Sequence, residues 1–105
     1  MNRLTNKVFL QKVKETVHAV DPQADVYLFG SRARGDHRKD SDWDILVLTQ
    51  KKLDLNLKYT LLDTLTELEL KTAKVVNPVI RYKPDWPNYE VTPFYQNIKE
   101  EGVQL

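Results

Sequence analysis

The segment Asp42–Thr49 (DWDILVLT) is the most apolar stretch of the chain, and it begins with two aspartates. Side chains alternate between the two faces of a β-strand, so Asp42 and Asp44 point to the same face. Beyond them both faces are apolar, with Leu46 and Leu48 on the aspartate face and with Trp43, Ile45 and Val47 on the other. Such a strand must be covered on both faces, which predicts a buried strand with two carboxylates at its rim.

Helical and extended patterns alternate along the rest of the chain. Apolar residues at helical spacing predict one helix over residues 5–19, with Val8, Val13 and Val17 on its apolar face, and another over residues 53–71. A last helix has Thr92 as its N-cap and ends before Gly102. Short apolar runs predict strands at 26–29, 42–49 and 75–82, and residues 31–41 read as a turn, a short helical piece and a loop. This order predicts one α/β domain, residues 1–105, built on a small sheet.

Composition narrows the class of protein. A chain of 105 residues has room for one domain, and the absence of cysteine excludes disulfide scaffolds and thiol nucleophiles. A formal charge of +1 disfavours a nucleic-acid-binding module, which would rest only on the basic loop at residues 32–39. Lysine and glutamate interrupt the apolar residues at 1–17, so neither a signal peptide nor a membrane span is predicted. We expect a cytoplasmic protein that binds no membrane.

The paired aspartates require something that offsets their charge. Two carboxylates about 5 Å apart repel by roughly 3 kcal/mol at an effective dielectric constant near 20. Hydration of both groups, protonation of one, or a cation between them would relieve this repulsion. Mg²⁺ suits the third solution because it binds one or two carboxylates and completes its octahedron with phosphate oxygens and water.

Gly30 and Ser31 follow the first predicted strand and offer an anion site. Glycine lets the backbone approach a ligand closely, and the backbone N–H of Ser31 would face an anion if a short helix began there. Arg32 and Arg34 add planar guanidinium groups that match phosphate oxygens. The pattern predicts a phosphate cradle opposite a metal-binding carboxylate pair.

Each of these groups also has an interpretation that involves no ligand. Gly30 and Ser31 could form an ordinary turn, the two aspartates could be hydrated residues at a strand start, and Arg32 and Arg34 could belong to a hydrated loop. Trp43 is predicted to lie in the core. The C-terminal aromatic residues either pack the last helix onto the sheet or leave an apolar patch for a partner; they are Trp86, Tyr89, Phe94 and Tyr95.

Gly30-Ser31, ten further residues and then Asp42-x-Asp44 form a pattern that resembles the signature of the polymerase β-like nucleotidyltransferase superfamily. The segments GSRARG and SDWDILV are similar to the corresponding segments of its small stand-alone members, the minimal nucleotidyltransferase (MNT-type) domains. The resemblance is sharp over residues 27–48, and in element order it extends over most of the chain.

The resemblance implies a mixed sheet flanked by helices and a site that binds an NTP, expected to be ATP. Gly30 and Ser31 would hold the triphosphate, with Arg32 and Arg34 nearby, and Asp42 and Asp44 would be the catalytic carboxylates that bind two Mg²⁺ ions. Such enzymes transfer a nucleoside monophosphate to a hydroxyl. Minimal members are often paired with a small helical HEPN toxin, on which they act as antitoxins, in some cases by adenylylating a tyrosine.

The strand predicted after the second long helix departs from that family pattern. The family normally carries a third carboxylate there, whereas residues 74–82 (KVVNPVIRY) contain neither Asp nor Glu. Asn77 is the nearest analogue, and an amide can bind a metal weakly but cannot act as a base. The alternative function is therefore a catalytically incomplete, nucleotide-binding antitoxin-like module that acts by protein–protein binding.

Overall fold

The computed structural model describes residues 5–105, and the first four residues of the N-terminal segment discussed above lie outside that range. The helices and strands follow in the order α1 (Asn6–Val20), β1 (Asp25–Phe29), α2 (Ser31–Arg34), β2 (Trp43–Thr49), α3 (Leu55–Thr72), β3 (Val76–Tyr82), a 3₁₀ helix (Lys83–Tyr89), α4 (Pro93–Glu101) and β4 (Val103–Gln104). The predicted order is confirmed. Two elements were not predicted, namely the 3₁₀ helix at residues 83–89 and the short strand β4.

The four strands form one mixed sheet in the order β3-β2-β1-β4. β1 pairs antiparallel with β2 and with β4, whereas β2 and β3 are parallel and are connected through α3. Pro78 lies in β3 at an edge of the sheet, as its missing N–H requires. The expected α/β architecture with a small mixed sheet is confirmed.

Side-chain caps set the start of each long helix. The side chains of Thr5, Asp54 and Thr92 accept hydrogen bonds from backbone N–H groups in the first turns of α1, α3 and α4. Each of these bonds satisfies a donor that has no partner within the helix. Thr92 was predicted as a cap from the Pro93 that follows it, and that prediction is confirmed.

The larger part of the core lies between one face of the sheet and the helices α1 and α3. It contains Trp43, Ile45 and Val47 from β2, together with the α3 stripe of Leu57, Leu61, Leu65 and Leu68. On α1 the buried residues are Phe9, Val13 and Val17. Val8, which we placed on the apolar face, is 44% exposed, because the four-residue spacing that faces the sheet begins at Phe9.

The opposite face of the sheet is covered more thinly. Leu46, Leu48 and Ile98 are its buried members, and aromatic side chains from the 3₁₀ helix and α4 pack over them. The Trp86 and Phe94 rings meet edge to face at 5.7 Å, and Phe94 meets Phe29 in the same way at 5.3 Å. The aromatic residues therefore pack the last helix onto the sheet, which confirms the first of the two expectations for them.

Over the whole range of residues 5–105, no helix combines the length and the apolar character needed to cross a membrane.

Candidate functional site

The end of β1 and the start of β2 bring Gly30 against Asp44. Phe29 pairs with Asp44 in the antiparallel register, so the next residue, Gly30, turns directly beside the carboxylate. A Cβ atom added to Gly30 would lie 2.1 Å from Asp44 Oδ2. The backbone of Gly30 has φ +76° and ψ −159°, a conformation essentially restricted to glycine. Only glycine therefore fits position 30, where the backbone turn lies directly against the Asp44 carboxylate.

Asp44 is held from the other side by β3. Asp44 and Asn77 occupy matching positions in the parallel register, and Asn77 Nδ2 donates a hydrogen bond of 2.9 Å to Asp44 Oδ1. Asp44 is half-buried, whereas Asp42 is exposed and precedes the first residue of β2. The amide of Asn77 thus contacts the carboxylate from β3, the strand on which the nucleotidyltransferases that this chain resembles carry a third acid.

The phosphate cradle predicted at Gly30 contains a carboxylate from α4. The backbone N–H of Gly30 donates to Glu101 Oε1 at 3.2 Å, and Arg34 Nη1 donates to both oxygens of the same carboxylate. Arg34 also pairs with Asp36 at 3.2 Å. Hydrogen bonds to Asp36 and then to Glu101 raise the pKa of Arg34, whose guanidinium carries a positive charge beside the turn.

Ser31 is half-buried and begins α2, directly after Gly30. Its carbonyl accepts the backbone N–H groups of Gly35 and Asp36, which closes the short helix. Gly35 takes the left-handed conformation there, with φ +85°. This tight turn keeps Ser31 and Arg34 on the same short segment as Gly30.

The guanidinium of Arg32 lies against the Trp43 ring and the loop before β2. Its guanidinium donates to the carbonyls of Ser41 and Lys39 and stacks over the Trp43 ring at 4.1 Å. Trp43 and Asp44 are adjacent in β2 and therefore point to opposite faces of the sheet. These contacts hold the loop before β2 in place. They do not support the predicted role of Arg32 in nucleotide binding, which stays a prediction.

Asp42, Asp44 and Asn77 are the side chains here that carry oxygen ligands of the kind a divalent cation binds. Within residues 5–105, no three side chains of the Asp, Glu, His and Cys types gather closely enough to hold a metal by themselves. Asp42 and Asp44 would supply carboxylate oxygens to such a cation, and Asn77 would offer an amide oxygen if its side chain turned over. This donor set suits Mg²⁺, which binds through one or two carboxylates and keeps positions for substrate phosphates and water.

Comparisons with known proteins decide the family. Residues 11–103 match the profile of the family described as polymerase beta, nucleotidyltransferase. The chain belongs to this nucleotidyltransferase family. Two Methanocaldococcus jannaschii relatives bear the name protein adenylyltransferase; one is 33% identical over 89% of this chain and 93% of its own length, and the other is 32% identical over 76% of each.

Solved structures support the fold. A toxin–antitoxin structure with AMP-PNP superposes with a TM-score of 0.64 at 24% identity, over 95% of this chain and 72% of that one. A tri-AMPylated Shewanella oneidensis HEPN toxin in complex with an MNT antitoxin gives a TM-score of 0.63 at 21% identity, over 95% of this chain and 71% of that one. Nucleotidyltransferases of this family generally use divalent metal ions.

Glu101 is the site residue that sequence reasoning missed. It lies 71 positions from Gly30 and 67 from Arg34 along the chain. Its local context is an ordinary charged helix end (KEEG), and no pattern in the sequence indicates which turn it will meet. The contact arises because α4 returns along the thinly covered face of the sheet toward the end of β1.

Proposed function

We propose that this chain is a minimal nucleotidyltransferase domain, a single unit over residues 1–105, that binds ATP with Mg²⁺ and transfers AMP to a hydroxyl of a partner protein. The observation that carries the proposal is the approach of Asp44 to Gly30, which leaves no room for any side chain at the turn. It places a carboxylate beside a backbone turn of the kind that binds phosphates, as nucleotidyl transfer requires.

Each residue of the site has a role in this proposal. Gly30 and Ser31 bind the triphosphate through the turn, and Arg34 supplies positive charge next to it. Asp42 and Asp44 are the catalytic carboxylates and the metal ligands. Asn77 orients Asp44 by its hydrogen bond.

The transfer is a substitution at the α-phosphorus of ATP. The hydroxyl oxygen of the acceptor forms a bond to phosphorus, the bond to the bridging oxygen breaks, and pyrophosphate leaves while the hydroxyl proton passes to water. Bound Mg²⁺ supplies activation of the hydroxyl and stabilisation of the pyrophosphate. The chain's own part is to orient the triphosphate on Gly30 and to hold Asp44 at a fixed distance from it.

A helical HEPN-type toxin is the proposed partner and acceptor, and the pair would act in the cytoplasm. Support comes from the relatives that bear the name protein adenylyltransferase and from the solved complex of an MNT antitoxin with an AMPylated HEPN toxin.

Label transfer tests the proposal directly. The protein and the helical partner with which it co-purifies are incubated with Mg²⁺ and ATP labelled at the α-phosphate, and both chains are analysed by mass spectrometry. We expect one or more AMP groups on the partner with the native chain and none with Asp44→Ala. Asp40→Ala, in the exposed loop before β2, is the matched control and should behave as the native chain does. No label on either chain, or equal labelling with Asp44→Ala, would reject the proposal.

A second candidate function is favoured by Asn77. The amide at this position cannot act as a base, so the site could bind nucleotide without turnover while the chain neutralises its partner by covering it. The double variant Asp42→Ala, Asp44→Ala separates the two functions. Under the binding function it still forms the complex and still neutralises the partner; loss of neutralisation with the complex intact would reject simple occlusion.

A further inference from the structure

We propose that the Glu101 carboxylate is an internal anion that holds the place of a nucleotide phosphate at the Gly30 turn, and that ATP must displace it to bind. The inference rests on the proposed function, because it assumes that this turn receives the triphosphate. It adds a residue from α4 that sets the affinity of the site for nucleotide.

The contacts of Glu101 are those that a phosphate group would make. Its Oε1 accepts the Gly30 N–H at 3.2 Å, and Arg34 Nη1 reaches Oε1 at 3.3 Å and Oε2 at 3.2 Å. A backbone N–H at a glycine turn and a guanidinium form a common donor pair for phosphate oxygens. Here both donors are already bound to one carboxylate of the same chain.

Tertiary contacts rather than helix preference hold this carboxylate in place. Glu101 is the last residue of α4, and a negative charge there is unfavourable next to the carbonyl end of the helix dipole. Its neighbour Glu100 is exposed, whereas the Glu101 side chain is only 20% exposed. The Glu101 side chain thus turns in toward the Gly30 turn.

The position of Glu101 also places it near Asp44. The distances from Gly30 to each carboxylate, combined with standard backbone geometry, put Glu101 Oε1 within about 8 Å of Asp44 Oδ2. A triphosphate arriving between them would meet two negative charges. Displacement of Glu101 therefore frees two donors and removes one repulsive charge at the same time.

Displacement needs only rotation of the side chain. The backbone after Glu101 is fixed, because the Gly102 N–H donates to the Ile98 carbonyl and the Leu105 N–H donates to the Val26 carbonyl. β4 lies between these two bonds and pairs with β1. The end of α4 can stay docked on the sheet while the carboxylate moves out of the turn.

Calorimetric titration of the full chain with ATP and Mg²⁺, and separately with inorganic triphosphate, tests the inference. We expect Glu101→Ala to bind both ligands about three- to tenfold more tightly than the native chain, and Glu101→Gln, which keeps an acceptor for the Gly30 N–H but loses the charge, to gain less. Two variants serve as controls. Glu100→Ala removes a neighbouring charge, and Asp36→Ala removes the other partner of Arg34 without opening the Gly30 N–H.

The possible results distinguish a failure of this inference from a failure of the proposed function on which it rests. Unchanged or weaker binding by both Glu101 variants, with a native chain that binds ATP, would overturn the inference alone. Equal tightening by Asp36→Ala would also overturn it, because release of Arg34 would then explain the gain. Absence of binding in every variant, including the native chain, would overturn the proposed function and the inference with it. Thermal melting of each variant confirms that the fold is retained, and Glu101→Gln serves if Glu101→Ala does not fold.

Discussion

The two faces of β2 differ in what covers them and in what they offer to a ligand. Trp43, Ile45 and Val47 point into the larger cluster beneath α1 and α3, where nearly every neighbour is aliphatic or aromatic. Asp44 points to the other face, with Leu46 and Leu48 beyond it under a thin layer from the 3₁₀ helix and α4. The Trp43 face of β2 is buried along its whole length. The Asp44 face begins with a half-buried carboxylate and is buried only beyond it.

This difference separates the part of the protein that stabilises the fold from the part that carries the candidate site. Apolar burial dominates folding free energy, and most of it lies on the Trp43 face. At the rim of the Asp44 face, Asn77 from β3 bonds to Asp44, and Glu101 from α4 bonds to the turn at Gly30. Changes on the first face should therefore alter stability, and changes at the rim of the second should alter binding.

Leu61→Ala should give the largest effect on stability. Leu61 is fully buried on the helix face that packs against the Trp43 side of the sheet, so its truncation leaves a cavity. We expect a loss of about 3 kcal/mol in the free energy of unfolding, measured by urea denaturation. Leu70→Ala is the control on the same helix, since Leu70 is 81% exposed and should change stability by less than about 0.5 kcal/mol. Equal costs for the two variants would contradict the assignment of the core to this face.

Gly30→Ala should have the next largest effect, and it should act on binding as well as on stability. Its Cβ would collide with Asp44 Oδ2, and its backbone conformation is strained for any L-residue with a side chain. We expect a loss of about 2 kcal/mol together with a fall of more than about tenfold in ATP affinity by calorimetry.

Gly35→Ala is the matched control for that variant. Gly35 also has a positive φ, +85°, but an added Cβ meets no atom within 4 Å. It should cost about 1 kcal/mol through backbone strain and leave ATP affinity unchanged. Similar losses of affinity in the two variants would show that strain in the loop, rather than the space beside Asp44, controls binding.

Lys83→Met should have the smallest effect, with a defined pH dependence. Lys83 in the 3₁₀ helix pairs with Asp25 in β1 at 2.6 Å, and this hydrogen bond raises the pKa of the lysine above its usual value of 10.5. A raised pKa in the folded state means that the pair stabilises the protein below pH 10.5 and that this contribution is lost as pH rises through the raised pKa.

The pair is partly exposed, so the difference between the native chain and Lys83→Met should be below about 1 kcal/mol at pH 7. It should shrink toward zero above the raised pKa of the lysine, as measured by denaturation at several pH values. A difference that grows with pH would contradict the sign of this argument.

Local patterns predicted most of the fold because they depend on burial and capping. The second long helix, the Thr92 cap and the apolar strand that contains Asp44 were each predicted from local sequence patterns, and the structure has all three. β4 was missed because two residues carry no periodic signal, and it exists only because β1 offers a free edge. Phe9 replaced Val8 in the core because two adjacent apolar residues leave the phase of a helix ambiguous.

The candidate site was predictable only in part. The spacing of Gly30, Ser31 and the two aspartates predicted that these residues come together. The antiparallel pairing of β1 with β2 brings Gly30 beside Asp44, and the part of Asp42 in the site stays a prediction. The direction of Arg32 was not predictable, since it depends on the stacking of its guanidinium on Trp43. The contact of Glu101 with Gly30 was not predictable, because it depends on how α4 packs against the sheet far from Gly30 in the sequence.

Calorimetric titration of ATP into the native chain and into Asp44→Ala, with and without Mg²⁺, tests the central claim most directly. If the turn at Gly30 and the carboxylate at the head of β2 form one nucleotide site, the native chain binds ATP with Mg²⁺, and Asp44→Ala loses at least about tenfold in affinity while its melting temperature stays close to that of the native chain. Equal ATP affinity of the native chain and Asp44→Ala, or an ATP affinity that is the same with and without Mg²⁺, would contradict this claim.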